Sequence, residues 1–179
     1  SSYYVTLAGN VVYGGSKPSD YTEARLKVNN QLQNNSDLMI YAGSCDITSA
    51  SAVETLRYGN SYKFHNYSSK NLSILELTAK NGGLRNTSAG QWQKFSKDIA
   101  SAGNKNVIII MDKTPSNFSD KLETELFRSA LNTLKNSGKN IYVISTEGTS
   151  SWNTVKDGIR YINLPGLWNS NGSLNKSFK

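Results

Sequence analysis

The segment Asn106–Asp112 reads Asn-Val-Ile-Ile-Ile-Met-Asp and is the longest unbroken apolar run in the chain. It is β-branched almost throughout, with Gly103 and Asn104 before it and Pro115 after it. A run this short, with no alternation of polar and apolar positions, reads as a strand buried on both faces. It therefore belongs at the centre of a sheet. Its C-terminal end delivers Asp112 to the sheet rim, where the loops of layered α/β domains carry chemistry. Whether Asp112 does chemistry is the main question the sequence poses.

Around this strand the chain alternates helical and extended patterns. Tyr3–Leu7 has strand composition, and Ala8-Gly9-Asn10 ends it. Ser19 or Asp20 is placed to cap a helix running to about Gln33. Leu38-Met39-Ile40-Tyr41 is a second buried strand, and Ser49–Leu56 a short helix. Tyr62-Lys63-Phe64-His65 alternates like a half-exposed strand and turns through Asn66–Lys70 into Leu72–Leu77, forming a hairpin. Ser88 precedes a helix with Trp92, Phe95, Ile99 and Ala102 at helical spacing and Gly103 as its stop. Ser119 or Asp120 caps Lys121–Asn136, whose Leu122, Leu126, Phe127, Ala130, Leu131 and Leu134 make an amphipathic stripe read as core. Ile141–Ile144 is another strand, and Lys156-Asp157-Gly158 turns into Ile159–Ile162.

Strands alternating with helices, interrupted by two hairpins, point to an α/β fold with mixed sheets flanked by helices, in a sandwich. The expected organisation is a single domain over 1–166 and a C-terminal tail over 167–179.

Composition narrows the function classes. At 179 residues the chain is long enough to bury a real core. It has no apolar run near the ~20 residues a membrane span needs. The net charge of +7 comes from scattered Lys and Arg without a basic run, which reads first as a solvated cationic surface and secondly as weak attraction to polyanions. No zinc-finger spacing or aromatic RNA-reading motif supports specific nucleic-acid recognition. The single Cys45 excludes an internal disulfide framework. Abundant Asn, Ser, Tyr and Thr with scarce Glu lean towards an extracellular bacterial domain, and the Ser1-Ser2 opening without Met reads as a processed protein or an excised domain.

Particular phrases carry a resemblance. The hairpin Tyr62-Lys63-Phe64 with Leu72-Ser73-Ile74-Leu75-Glu76-Leu77, then Gly83-Leu84-Arg85, Gln91-Trp92 and Phe95, the strand Asn106–Pro115, and Asp157-Gly158-Ile159-Arg160-Tyr161-Ile162 follow one another in order. In these the chain resembles the calcineurin-like metallophosphoesterases. It is most similar to the calcineurin-like domains found C-terminal to phosphodiester-glycosidase modules in secreted proteins of Gram-positive bacteria. The resemblance implies a metallophosphoesterase-like fold and, in its active members, two metal ions that activate water and clamp phosphoryl oxygens.

The ligands that such a site needs are missing. Where the family has Asp-x-His after its first strand stands Asn10-Val11-Val12, and where it has Gly-Asp stands Gly43-Ser44, with Asp46 displaced. Gly59-Asn60-Ser61 is the trace of the Gly-Asn-His block, Asp112 replaces the strand-end His, and Glu147-Gly148-Thr149-Ser150 corresponds to the final Gly-His-x-His. The only histidine, His65, falls inside a strand. A carboxylate-only site would draw on Asp46, Asp112 and Glu147, with help from Asn10, and would suit Mg²⁺ or Ca²⁺. The degenerate, metal-free reading with no cofactor is favoured over it.

Other chemistries find less support. There is no Gly-x-Ser-x-Gly elbow, and Cys45 as a nucleophile would need His65 beside it. Gly14-Gly15 and Gly82-Gly83 match no phosphate-binding loop. Glu76 and Asp157 suggest paired carboxylates for glycoside cleavage, but Asp157 is explained by its turn with Gly158. Tyr13, Tyr58, Tyr62, Tyr67, Trp152 and Trp168 fall in loops or half-exposed strands, where aromatic faces stack on sugars or form interfaces. Of these, Tyr13, Trp152 and Trp168 are the candidate ligand contacts. The function expected is a non-catalytic accessory or binding domain of a secreted or surface protein, a pseudoenzyme whose partner is a cell-wall glycan or another domain of its parent chain. A phosphoester hydrolase with an altered metal site and a cationic polyanion-binding module are the alternatives.

Overall fold

The computed structural model of the chain describes residues 3–9, 18–31, 36–42 and 62–166. The expected helix Ser49–Leu56, the tail 167–179, and the candidate residues Asn10, Tyr13, Asp46 and Trp168 lie outside the described residues. The chain separates into two compact units, one formed by residues 1–59, 146–150 and 164–179, the other by 60–145 and 151–163.

In the first unit, β1 (Tyr3–Gly9) and β2 (Ser36–Ala42) pair in parallel from Tyr3↔Ser36 to Gly9↔Ala42. The helix α1 (Pro18–Gln31) connects them, as a parallel pair requires, since its strands cannot be joined by a tight turn. The helix begins at Pro18, so Ser19 and Asp20 stand inside its first turn and do not cap it. Proline is well suited to that place because its fixed φ is already helical and its missing N–H would have had no partner there.

The second unit is built on a six-stranded mixed sheet. Its strands are β3 (Lys63–Tyr67), β4 (Leu72–Leu77), β5 (Asn106–Met111), β6 (Asn140–Ser145), β7 (Trp152–Lys156) and β8 (Ile159–Asn163). They lie in the order β3-β4-β5-β6-β8-β7. The apolar run does sit inside the sheet: β5 is parallel to both β4 and β6, with Met111 opposite Leu77 and Ser145. The two hairpins supply the antiparallel edges, β3 on β4 and β7 on β8. In the second of these, Asp157 and Gly158 take φ of 54° and 76°, the left-handed pair that a two-residue hairpin turn demands.

Helices α2 (Leu84–Thr87) and α3 (Ala89–Ser101) precede β5, and α4 (Lys121–Asn136) follows it. Side chains alternate along a strand, so Leu75, Leu77, Val107, Ile109, Met111, Ile141, Val143, Ile159 and Tyr161 share one face. That face forms a single core with Phe95 and Ile99 of α3 and Phe127, Leu131 and Leu134 of α4. Phe127 touches both Phe95 and Phe118, with ring centroids 5.5 and 6.0 Å apart.

Helix α4 has the bounds expected, and Asp120 caps it by accepting the Leu122 N–H at 2.9 Å. Its buried face differs from the stripe read in sequence. Leu122 and Leu126 are 63% and 43% exposed, while Glu123 and Thr124 are buried. The reason is hydrogen bonding to backbone outside the helix: the Thr124 hydroxyl donates to the Pro115 carbonyl at 2.7 Å, and Glu123 accepts the Arg85 N–H at 2.8 Å. Two polar side chains with backbone partners turn the first turn of the helix inward and leave two leucines in water. Among the described residues, no helix is long and apolar enough to cross a membrane.

Candidate functional site

The C-terminal ends of the parallel strands β4, β5, β6 and β8 come out on the same edge of the sheet. This edge is where open α/β sheets gather ligand-binding groups, and here it carries Thr78, Asp112, Ser145 and Asn163, all buried. Asp112 follows Met111 and is 2% exposed. Its Oδ1 accepts the Ala79 N–H at 2.6 Å, and its Oδ2 accepts the Thr78 hydroxyl at 3.4 Å. Burial pushes its carboxyl above the usual aspartate range. The Ala79 N–H, its own backbone, the Thr78 hydroxyl and the Lys113 charge pull against that shift.

The loop that Asp112 grips is gripped a second time. Gln91, 1% exposed in the first turn of α3, accepts the Thr78 N–H at 3.0 Å through Oε1. Its Nε2 donates to the Thr78 carbonyl at 2.6 Å and to the Leu84 carbonyl at 3.0 Å. A primary amide offers one acceptor and two donors, and this one uses them to satisfy both backbone groups of Thr78, the residue just past the end of β4, together with the Leu84 carbonyl. Farther along the same loop, a Cβ on Gly83 would overlap the Glu123 carboxylate, and one on Gly82 would overlap the Ser119 hydroxyl. Ser119 also donates its N–H to the Gly82 carbonyl at 2.8 Å.

Across the other strand ends runs a chain of neutral groups. Thr114 and Ser145 hydroxyls meet at 3.1 Å, and Ser145 donates to Asn163 Oδ1 at 2.7 Å. The edge is thus occupied by side chains that bond to one another and to the backbone. What this arrangement does chemically is hold the connections after β4 and β5 in one geometry.

Of the remaining described candidates, His65 sits away from this edge. His65 lies on β3 opposite Ile74, its Nε2 3.5 Å from Glu76 Oε2, with Lys63 Nζ 3.7 Å from the same oxygen. Its ring stacks on Tyr67 at 6.3 Å. From sheet spacings, His65 and Asp112 are roughly 16 Å apart, two strands across and four residues along. They do not meet. Glu147 belongs to the first unit and is half-buried. Trp152 opens the half-exposed strand β7 and packs partly buried against the core. Tyr62 also packs there and donates its hydroxyl to Asp98 at 2.5 Å; burial first, then the carboxylate, pushes that phenol's pKa upward. Glu76 and Asp157 are held roughly 14 Å apart by three strand spacings alone, beyond the reach of a glycosidase pair. Among the described residues, no group of three or more His, Cys, Asp or Glu side chains is placed to hold a metal ion.

Gln91 stands out in sequence only within the phrase Gln91-Trp92, with nothing to show its grip on Thr78; Glu123 and the Thr114–Ser145–Asn163 chain have no individual signal beyond their polarity near helix starts and strand ends. No protein-family model matches the chain, and no curated protein matches it.

Proposed function

We propose that this chain is a non-catalytic accessory or binding domain of a secreted or cell-surface bacterial protein. On this reading it is built on a calcineurin-like metallophosphoesterase plan whose metal ligands have been lost. The observation that carries the reading is the pair of hydrogen bonds on Asp112, from Ala79 N–H at 2.6 Å and Thr78 hydroxyl at 3.4 Å. A two-metal phosphoesterase needs the side chain at this strand end to face the ions and the substrate. Here the corresponding carboxylate is engaged by protein donors and fastens a neighbouring loop. Among the described residues, the neighbouring strand-end groups are hydroxyls and an amide bonded to one another, a poor set for a hard divalent cation, which favours several charged or carbonyl oxygens converging on one point.

The partner is a cell-wall glycan or another domain of the parent chain. The net charge of +7 suits an anionic setting of that kind. The test is hydrolysis of simple phosphomonoesters and phosphodiesters by the purified protein with Mg²⁺, Ca²⁺, Mn²⁺ or Zn²⁺. Rates should equal those of the metal alone. Turnover that Asp112→Ala abolishes would overturn the reading in favour of a carboxylate-based hydrolase.

A further inference from the structure

The opposite edge of the sheet, at the N-terminal ends of β6 and β8, frames a cleft of about 250 Å³. Lys135, Lys139, Asn140, Tyr142, Val155 and Arg160 line it. Strand register explains the grouping: Tyr142 and Val155 both lie opposite Arg160, on its two sides. Phenol, guanidinium and isopropyl group therefore stand in a row on one face. Lys135, from the last turn of α4, and Lys139, from the connection to β6, close the end of the row.

Each cation is held by an uncharged acceptor. Lys135 Nζ donates to the Asp157 carbonyl at 2.5 Å, Lys139 Nζ to the Asn104 carbonyl at 2.6 Å, and Arg160 to Asn153 Oδ1 at 3.0 Å. Among the described residues, no acidic side chain lines the cleft. Asp157, in the adjacent turn, turns its backbone oxygen to Lys135, and its charge acts on Tyr161, whose side chain belongs to the opposite face. Ammonium groups fixed by backbone oxygens keep N–H bonds for a ligand and lose less freedom on binding it. Such a group of cations without a lining counter-charge is organised for an oxyanion. Beside it, Tyr142 and Val155 are 43% and 56% exposed, which gives a ring face and an apolar edge of the kind that sugar rings pack on. The volume lies just below that of ordinary small-ligand sites and suits one sugar unit with its phosphate.

We propose that this cleft binds a phosphate-bearing sugar, either free or as a unit of a phosphodiester-linked glycan. The proposal rests on the binding-domain reading above and supplies its ligand class. The test is a titration of amide resonances with glucose 6-phosphate, inorganic phosphate, glucose and a glucose-containing phosphodiester oligomer. Glucose 6-phosphate should give saturable shifts at Asn140, Tyr142 and Gly158; phosphate should bind more weakly and glucose not at all. Arg160→Gln should weaken binding about tenfold by removing a charge-assisted bond, and Tyr142→Ala should reduce the sugar phosphate to the affinity of phosphate alone. Both side chains are exposed, so unchanged melting of the variants keeps the comparison clean. Tighter binding of the oligomer than of the monoester identifies the polymer as the source, and the reverse order identifies the free ester. Absence of saturable shifts, or equal affinity in Arg160→Gln, overturns the proposal and leaves the non-catalytic reading intact. Cleavage of the ester when divalent metal is added overturns that reading instead.

Discussion

Asp112 Oδ1 accepts the Ala79 N–H at 2.6 Å, so the residue that leaves β5 fastens the residue two positions past the end of β4. A strand end where a sheet of this class usually offers a group to a ligand is here joined to its neighbour. The energetic consequences of that join are measurable at the residues involved.

The first concerns pH. Burial raises the Asp112 carboxyl above its ordinary value, so the folded state binds its proton more tightly than the unfolded chain does. Stability from this group is complete below the unfolded pKa and declines as pH rises through the folded one. Asp112→Asn keeps the shape and removes the charge. Its melting temperature should change less between pH 4 and pH 7 than that of wild type, and at pH 7 it should equal or exceed it. Asp112→Ala should instead lose about 1–3 kcal/mol, because the buried Ala79 N–H is left without its acceptor.

Gln91 supports the same loop through three hydrogen bonds, two of them donated to backbone carbonyls. Gln91→Glu keeps the volume but cannot make both donations, and it brings a charge to a position 1% exposed. Denaturant unfolding should show a loss of roughly 3 kcal/mol. Gln91→Lys placed as a control at the same site should cost at least as much, since it removes the acceptor for Thr78 N–H.

Gly83 has an extended φ of 174°, so strain in its backbone is not what excludes a side chain. The Glu123 carboxylate is. Gly83→Ala should therefore destabilise by about 1–3 kcal/mol, the range for overpacking a buried contact. In the double variant with Glu123→Ala the two costs should fall well short of additive, because truncating the glutamate opens the space. Strict additivity would place the cost elsewhere.

On α4, exposure separates residues that look alike in sequence. Leu122→Gln should stay within about 0.5 kcal/mol of wild type, as exposed substitutions do. Leu131→Ala, at a position 0% exposed, should lose roughly 2–5 kcal/mol. Calorimetry of the two variants would check both.

Much of the second unit is legible in its sequence because the relevant signals are local. The unbroken run Val107–Met111 requires cover on both faces, and Asp157-Gly158 can occupy left-handed turn positions; both features act over a few residues. Asp120 and Gly138 likewise mark the ends of α4 through capping chemistry. Where sequence reading departs from the structure, tertiary partners decide. Leu122 and Leu126 complete a plausible stripe, yet the first turn of α4 faces the way it does because Thr124 and Glu123 find backbone groups at Pro115 and Arg85. Helix α2 is too short to show a period, and β7 carries Trp152 followed by exposed residues, so neither has a pattern to read. The site is harder still. Asp112 is conspicuous at its strand end, but its principal partner is a backbone N–H, which any residue type at position 79 except proline would supply.

Thermal melting with divalent ions decides whether Asp112 is a structural fastener or a metal ligand. Chelator-stripped protein would be melted alone and with Mg²⁺, Ca²⁺, Mn²⁺ and Zn²⁺, beside Asp112→Ala. A metal held by the native state at ~100 times its dissociation constant would add about 2.7 kcal/mol, a rise of roughly 5–10 °C for a chain of this size. The fastener account predicts no rise in wild type and a lowered midpoint in Asp112→Ala whether or not metal is present. A metal-dependent rise in wild type that disappears in Asp112→Ala would contradict it.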